Sequence, residues 1–159
     1  LLREHSLDIM LFSHNISAEG KASFYSHVLT SSPVVFVIHP TERLKRQATL
    51  KDYLREKRLY IPGKSFEARP ELGAFLEGLK CEPIIAGEID DIALLRIFAL
   101  RSGAVVALPE MGVQDEIETK ELFVISKAAN IEQRFYAITR QRKFPNTSIE
   151  KLISSIRKE

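Results

Sequence analysis

The stretch from Pro83 to Pro109 constrains the fold of this chain more than any other. Pro83-Ile84-Ile85-Ala86-Gly87-Glu88 reads as a strand, Asp90 or Asp91 then caps a helix from Ile92 to Ser102, and Gly103 stops it. Ala104 to Leu108 is a second apolar strand, ended by Pro109. Strand, helix and strand in immediate succession predict a crossover unit, because two parallel strands need such a connection between them. The helix is apolar on almost every side, and a helix without a polar face is expected to be buried.

The rest of the chain repeats the alternation. Ser6 to Phe12 reads as a buried strand, followed by a polar loop from Ser13 to Lys21. Phe24 to Ile38 is a long extended stretch rich in Val, Phe and Tyr. It is interrupted at Thr30-Ser31-Ser32-Pro33, where a residue with no N–H to donate predicts a break or a change of sheet. Thr49 is the expected N-cap of a short helix, Leu50 to Arg55, and Leu59 to Ile61 is a short strand closed by Pro62-Gly63. The next helix has two readings: Ser65 caps a first turn that Pro70 disturbs, or Pro70 opens the helix proper. Gly78 lies near its end. Val113 to Lys120 reads as a polar surface helix, and Leu122 to Ile125 and Arg134 to Thr139 as two strands. Thr147-x-x-Glu150 is a capping box, and Ile149, Leu152, Ile153 and Ile156 make one apolar stripe along the last helix. The pattern predicts an α/β architecture with largely parallel sheets.

Composition narrows the class. The chain has 159 residues, 45% of them hydrophobic and 28% charged, enough for one domain with a real core. A net charge of +2 does not predict a nucleic-acid surface. The single cysteine, Cys81, excludes an internal disulfide framework and fits a reducing compartment. No run approaches the roughly 20 apolar residues that span a bilayer, and no signal peptide is evident. The opening Leu1-Leu2-Arg3-Glu4-His5 has no initiator methionine and reads as the end of a helix, so a piece of a longer protein is expected.

Chemistry-bearing patterns are sparse. His5, His14, His27 and His39 show no metal-ligand spacing, and Cys81 has no cysteine partner. A Cys81 nucleophile would need a base that the sequence does not name. Gly63-Lys64-Ser65 resembles the tail of a phosphate-binding P-loop, but that motif needs a glycine where Arg58 stands. What survives is a Pro-Gly turn that presents N–H groups and a hydroxyl at a helix start, suited either to an anion or polar ligand or to a plain cap. Asp90-Asp91 is read as a cap and dipole partner in preference to an acid/base pair or cation site. Lys45, Arg46, Lys51, Arg55, Lys57 and Arg58 form a basic run, read as a solvated face because aromatics there are few. No catalytic residue, metal site or cofactor is expected.

Five segments in order resemble the effector domain of LysR-type transcriptional regulators. They are Leu7 to Leu11, Pro33 to Pro40, Ala48 to Tyr53, Ile61 to Ser65, and Gly87 to Asp91 through Gly103 to Pro109. Glu88 to Leu95 and Arg134 to Ile138 are similar to one branch, the sodium-responsive activators of sodium/proton antiporter genes. The resemblance implies a periplasmic-binding-protein-like fold (type 2) of two α/β subdomains joined by two crossing strands, near residues 30–33 and 125–134. Residues 33–125 would be the second subdomain; 1–31 and 133–159 would belong to an incomplete first. A winged helix-turn-helix would lie outside this chain and carry the contact with DNA. The implied role is that of a non-enzymatic, cytoplasmic sensor in a homo-oligomer, with no membrane partner, that binds a small molecule or ion between subdomains. The expected lining is Ser13 and His14 from the first subdomain, and Gly63, Lys64, Ser65, Phe66, Asp90, Leu108 and Pro109 from the second. The alternatives are a transporter's solute-binding protein with the same fold, and an α/β transferase or hydrolase, for which no catalytic constellation is found.

Overall fold

The structure, a computed structural model, describes residues 7–15, 24–44, 47–140 and 147–156. The elements run β1 (Ile9–Phe12), β2 (Phe24–Ile38), α1 (Leu50–Glu56), β3 (Leu59–Pro62), α2 (Arg69–Gly78), β4 (Ile85–Ile89), α3 (Ile92–Arg101), β5 (Val105–Pro109), α4 (Gln114–Glu118), β6 (Phe123–Arg140) and α5 (Thr147–Ile156). Single 3-10 turns lie at Pro40–Glu42 and Glu110–Gly112. The chain divides into two compact units, Ser32–Gln133 and a smaller one of Leu1–Ser31 with Arg134–Glu159.

In the larger unit the strands lie in the order β2-β5-β3-β4. β3 runs parallel to β4 and β5, whereas β2 runs antiparallel to β5, with Phe36 opposite Ala107. The sheet is therefore mixed, not largely parallel. The long strand β2 adds to the crossover unit from the opposite direction. Alternation sorts its side chains into two cores. Val34, Phe36, Ile38, Leu59, Ile61, Val105 and Ala107 face one layer, with α1 and α2 residues such as Leu54 and Leu72. Val35, Val37, Val106 and Leu108 face the other, with Leu95 and Ala99 of α3. Burial on both faces explains why Val34 to Ile38 and Val105 to Leu108 are continuous apolar runs.

Local chemistry fixes the helix ends. Thr49 caps α1 as expected, and Asp52 completes a capping box by accepting the Thr49 N–H at 2.8 Å. Asp91, not Asp90, caps α3 by accepting the Leu94 N–H at 2.7 Å. Gly103 ends that helix at φ +67, a conformation that a Cβ disfavours. Neither expected start of α2 is quite met. Pro70 is its second residue, Ala68 occupies the cap with no side-chain bond, and Ser65 bonds elsewhere.

Four sequence expectations are corrected. Pro33 does not interrupt β2, which is continuous, because proline's fixed φ suits an extended backbone. The two strands expected between Leu122 and Thr139 are one, β6, in which Asn130 takes up a left-handed φ of 63. β1 is not buried throughout, since Leu11 is 69% exposed. Nor is α3: Leu95 and Ala99 pack on the sheet, but Leu94 is 42% and Ile97 53% exposed, as are Ile84 (60%) and Ile85 (47%) at the sheet edge. The sheet covers one side of this helix, and no described residue covers these four.

In the smaller unit β1 pairs antiparallel with the end of β6, Ile9 opposite Thr139. Met10, Phe12, Phe24, Tyr136 and Ile138 pack together on one side. Ile153 of α5 joins Leu29 and Ala137 in another cluster, with Ile9 and Ile156 against it. α5 begins at Thr147 itself, where the capping box would make Thr147 the cap just before the helix, and Leu152 of its stripe is half exposed. The side chains of Ile149 and Glu150, His5, Lys45, Arg46 and most of the loop after Asn15 lie outside the described residues.

α4 is not wholly a surface helix, because Glu116 is buried. Arg96 of α3 donates to its Oε1 from both Nε and Nη2. That hydrogen bond outweighs the burial that opposes it and holds the Glu116 carboxyl below its ordinary 4.5. A depressed folded-state value means that the pair's stabilisation is complete above pH 4.5 and is lost as the pH falls below it. The denaturation midpoint of Glu116→Gln is therefore expected to change less than wild type between pH 6 and about pH 3. Parallel pH profiles for the two proteins would refute this.

Candidate functional site

Two adjacent aspartates with different partners organise the loop after β3. The N–H of Gly63 donates to the Ile89 carbonyl at 3.0 Å, which joins the ends of β3 and β4. The loop then folds as successive turns, Phe66 N–H to Gly63 O at 3.2 Å and Arg69 N–H to Phe66 O at 3.1 Å, and so enters α2. With Asp91 engaged at the start of α3, Asp90 lies against this loop. Its Oδ1 accepts the Ser65 hydroxyl at 2.6 Å and the Ser65 N–H at 3.2 Å. The Ser65 hydroxyl, and then the Ser65 N–H, hold the Asp90 carboxyl below its ordinary range.

Gly63 is required by this close approach. A Cβ there would lie 2.2 Å from Asp90 Oδ1 and 2.5 Å from its Cγ. The Ser65 N–H and hydroxyl thus hold an anion that is the chain's own carboxylate. Lys64 and Ser65 are exposed on the loop, as is Asp90. A guest anion would have to displace Asp90; a cation or hydrogen-bond donor would find an exposed, ionised carboxylate already oriented. Nearby, Arg69 Nη2 bonds Glu88 Oε1 at 2.9 Å.

The other expected residues are placed differently. The side chains of Phe66 and Leu108 belong to the core shared with Val35, Val37 and Leu95. Pro109 is buried opposite Val34 in the sheet register. Ser13 and His14 lie in the smaller unit. The His14 ring meets Phe12 edge-on at 5.4 Å, and its Nδ1 is enclosed with no hydrogen-bond partner among the described residues. No group of three or more His, Cys, Asp or Glu suited to a metal ion occurs among the described residues. No helix among them is long and apolar enough to cross a membrane.

One polar residue at this loop was not singled out from sequence. Gln133 of β6 is fully buried, and its Oε1 accepts the Ala68 N–H at 3.3 Å. It thereby pairs the buried N–H of Ala68, the residue at the start of α2. Nothing in Ile131-Glu132-Gln133-Arg134 marks it, because a lone glutamine in a strand carries no spacing signal.

The sequence profile described as "LysR substrate binding domain" matches residues 1–159. The chain belongs to this LysR family. It is 26% identical over 157 residues to "Transcriptional activator protein NhaR" of Escherichia coli (strain K12), covering 97% of this chain and 50% of that protein. The chain therefore spans about half the length of the curated relatives it matches. Its fold is similar to the regulatory domain of HypT from Salmonella typhimurium (TM-score 0.69, 17% identity, 99% of this chain and 76% of that one). It is likewise similar to the regulatory domain of CrgA, a LysR-type transcriptional regulator from Neisseria meningitidis (TM-score 0.70, 17% identity, 99% and 77%). The α/β fold expected of the ordered segments, periplasmic-binding-protein-like of type 2, is that of these LysR regulatory domains. The LysR substrate-binding domain family is non-enzymatic.

Proposed function

We propose that this chain is the effector-sensing part of a LysR-type DNA-binding transcriptional regulator, which binds a small molecule or ion between subdomains. The observation that carries the reading is the family match across all of residues 1–159. In this reading residues 1–31 and 133–159 are assigned to the first subdomain and 33–125 to the second, with crossings near 30–33 and 125–134, so that Gln133, the last residue of the larger compact unit, lies at a crossing. The effector contacts the exposed side of the loop through Lys64, Ser65 and Asp90. Gly63, Phe66, Leu108 and Pro109 back the loop, and Ser13 and His14 are the first subdomain's expected contribution to effector binding. An effector acts only by binding one arrangement of the subdomains more tightly than another. That preference passes through a homo-oligomer to a winged helix-turn-helix outside this chain, in a cytoplasmic protein. The exposed Ile84, Ile85, Leu94 and Ile97 support self-association of the intact regulator.

The test uses the intact regulator and measures its operator affinity during titration with sodium chloride, potassium chloride, sodium phosphate and sodium sulfate, at matched ionic strength. At least one ion is expected to shift operator affinity by about 5-fold or more, the scale of ordinary allosteric coupling. Asp90→Ala is expected to move the midpoint of that response. A regulator indifferent to every one of these ions, or an Asp90→Ala midpoint equal to wild type, counts against this reading of the site.

A further inference from the structure

The buried glutamine at the end of the larger unit joins the loop to the backbone that leaves it. Gln133 is the last residue of Ser32–Gln133, and its peptide bond to Arg134 carries the chain onward. Its side chain is 0% exposed, and its Oε1 bonds the N–H of Ala68, itself only 5% exposed. Ala68 lies three residues beyond Ser65, and every step between them is bonded or packed. Phe66 donates to the Gly63 carbonyl and accepts from the Arg69 N–H, while its ring is held in the core. The Ser65 end of this segment is tethered by Asp90 and the Ala68 end by Gln133. A short run of turns held at both ends moves as one body: the enclosed N–H of Ala68 keeps its acceptor, and the exposed end is held by two bonds from Ser65 to Asp90.

We propose that Gln133 is a positioning residue that couples the Ser65–Asp90 contact to the backbone of β6 at Ile131 to Arg134. This rests on the proposed sensing role of the loop, and it names the route by which a change there reaches the crossing strand. Release of Asp90 from Ser65 lets the segment shift, and the Ala68 N–H draws Gln133 with it. Gln133 touches no effector. It is required for the response but not for binding at the loop.

The experiment needs no effector. Asp90→Asn replaces the carboxylate on Ser65 with a weaker, neutral acceptor at an exposed position. Backbone amide resonances of Ile131 to Arg134 and the side-chain amide of Gln133 are followed by NMR in the intact protein, with and without Asp90→Asn. The substitution is expected to shift them. In a Gln133→Met background, which keeps the length and removes the acceptor, the shifts at residues 131–134 are expected to vanish. There the Ala68 amide should exchange with solvent on the order of tenfold faster. Gln133→Glu, which retains an oxygen acceptor, should restore the coupling. A merely structural Gln133 would lower the melting temperature yet leave the Asp90→Asn shifts intact, and that result overturns the proposal. If Gln133→Met does not fold, an unmoved Gln133 side-chain amide on Asp90→Asn overturns it equally. Intact coupling in a regulator that answers no ion would instead sink the sensing role and leave the coupling standing.

Discussion

Phe36→Ala is expected to lower the unfolding free energy by about 3–5 kcal/mol, the range for truncating a large aromatic in a packed core. Phe36 is wholly buried near the C-terminal end of β2 and stacks on Phe75 of α2, ring centroids 5.8 Å apart. Its other neighbours, Val34, Ile38, Val105 and Ala107, sit on strands whose ladder bonds hold their spacing. The surroundings therefore cannot collapse into the space, and the cavity term adds to the lost transfer energy. Against total stabilities of about 5–15 kcal/mol, such a loss leaves the larger unit marginal at best. Urea unfolding followed by circular dichroism measures it. A change below about 1.5 kcal/mol would mean that helix and sheet do not pack there as described.

The same core shows what was legible in the amino-acid order. Helix punctuation fixed the start of α1 and the ends of α3, because the caps Thr49 and Asp91 and the stop at Gly103 act over three or four residues, whereas the start of α2, which has no side-chain cap, was missed. Strand direction was less accessible. The crossover from Pro83 to Pro109 does produce parallel strands, but nothing local in Val34 to Ile38 tells that β2 joins β5 antiparallel. Pro33 misled for a related reason: its effect depends on whether the neighbouring strand needs its N–H, which is a property of the pairing. The apolar circumference of α3 was read as burial, yet its outer residues are exposed. Amphipathicity reports what a helix can cover, not what this chain brings to cover it.

The loop was only half legible. Pro62-Gly63-Lys64-Ser65 announced N–H groups and a hydroxyl ready for an acceptor, and Asp90-Asp91 announced a cap, each from local chemistry. Their meeting joins positions 25 residues apart in sequence through the pairing of β3 with β4, and no local rule contains it. Gln133 lay further out of reach, since its bond to the Ala68 N–H joins positions 65 residues apart.

Gly63→Val tests whether that meeting is a fitted contact. Gly63 does not have a positive φ, so a branched residue is tolerated by the backbone and any cost must be steric. A Cβ would fall 2.2 Å from Asp90 Oδ1, far inside contact distance, and the carboxylate must leave Ser65. Forcing extra volume into a closely packed position costs about 1–3 kcal/mol, and that loss is expected here. The decisive comparison is the double mutant Gly63→Val/Asp90→Ala. If the clash is with Asp90, truncating that side chain removes the obstacle, and the double mutant should match Asp90→Ala alone to within about 0.5 kcal/mol. Losses that add in full would place the conflict elsewhere and would show that glycine is present for some reason other than this carboxylate. Matched stabilities would establish that Gly63 and Asp90 are one feature, a loop shaped around an acidic group that the chain supplies to itself.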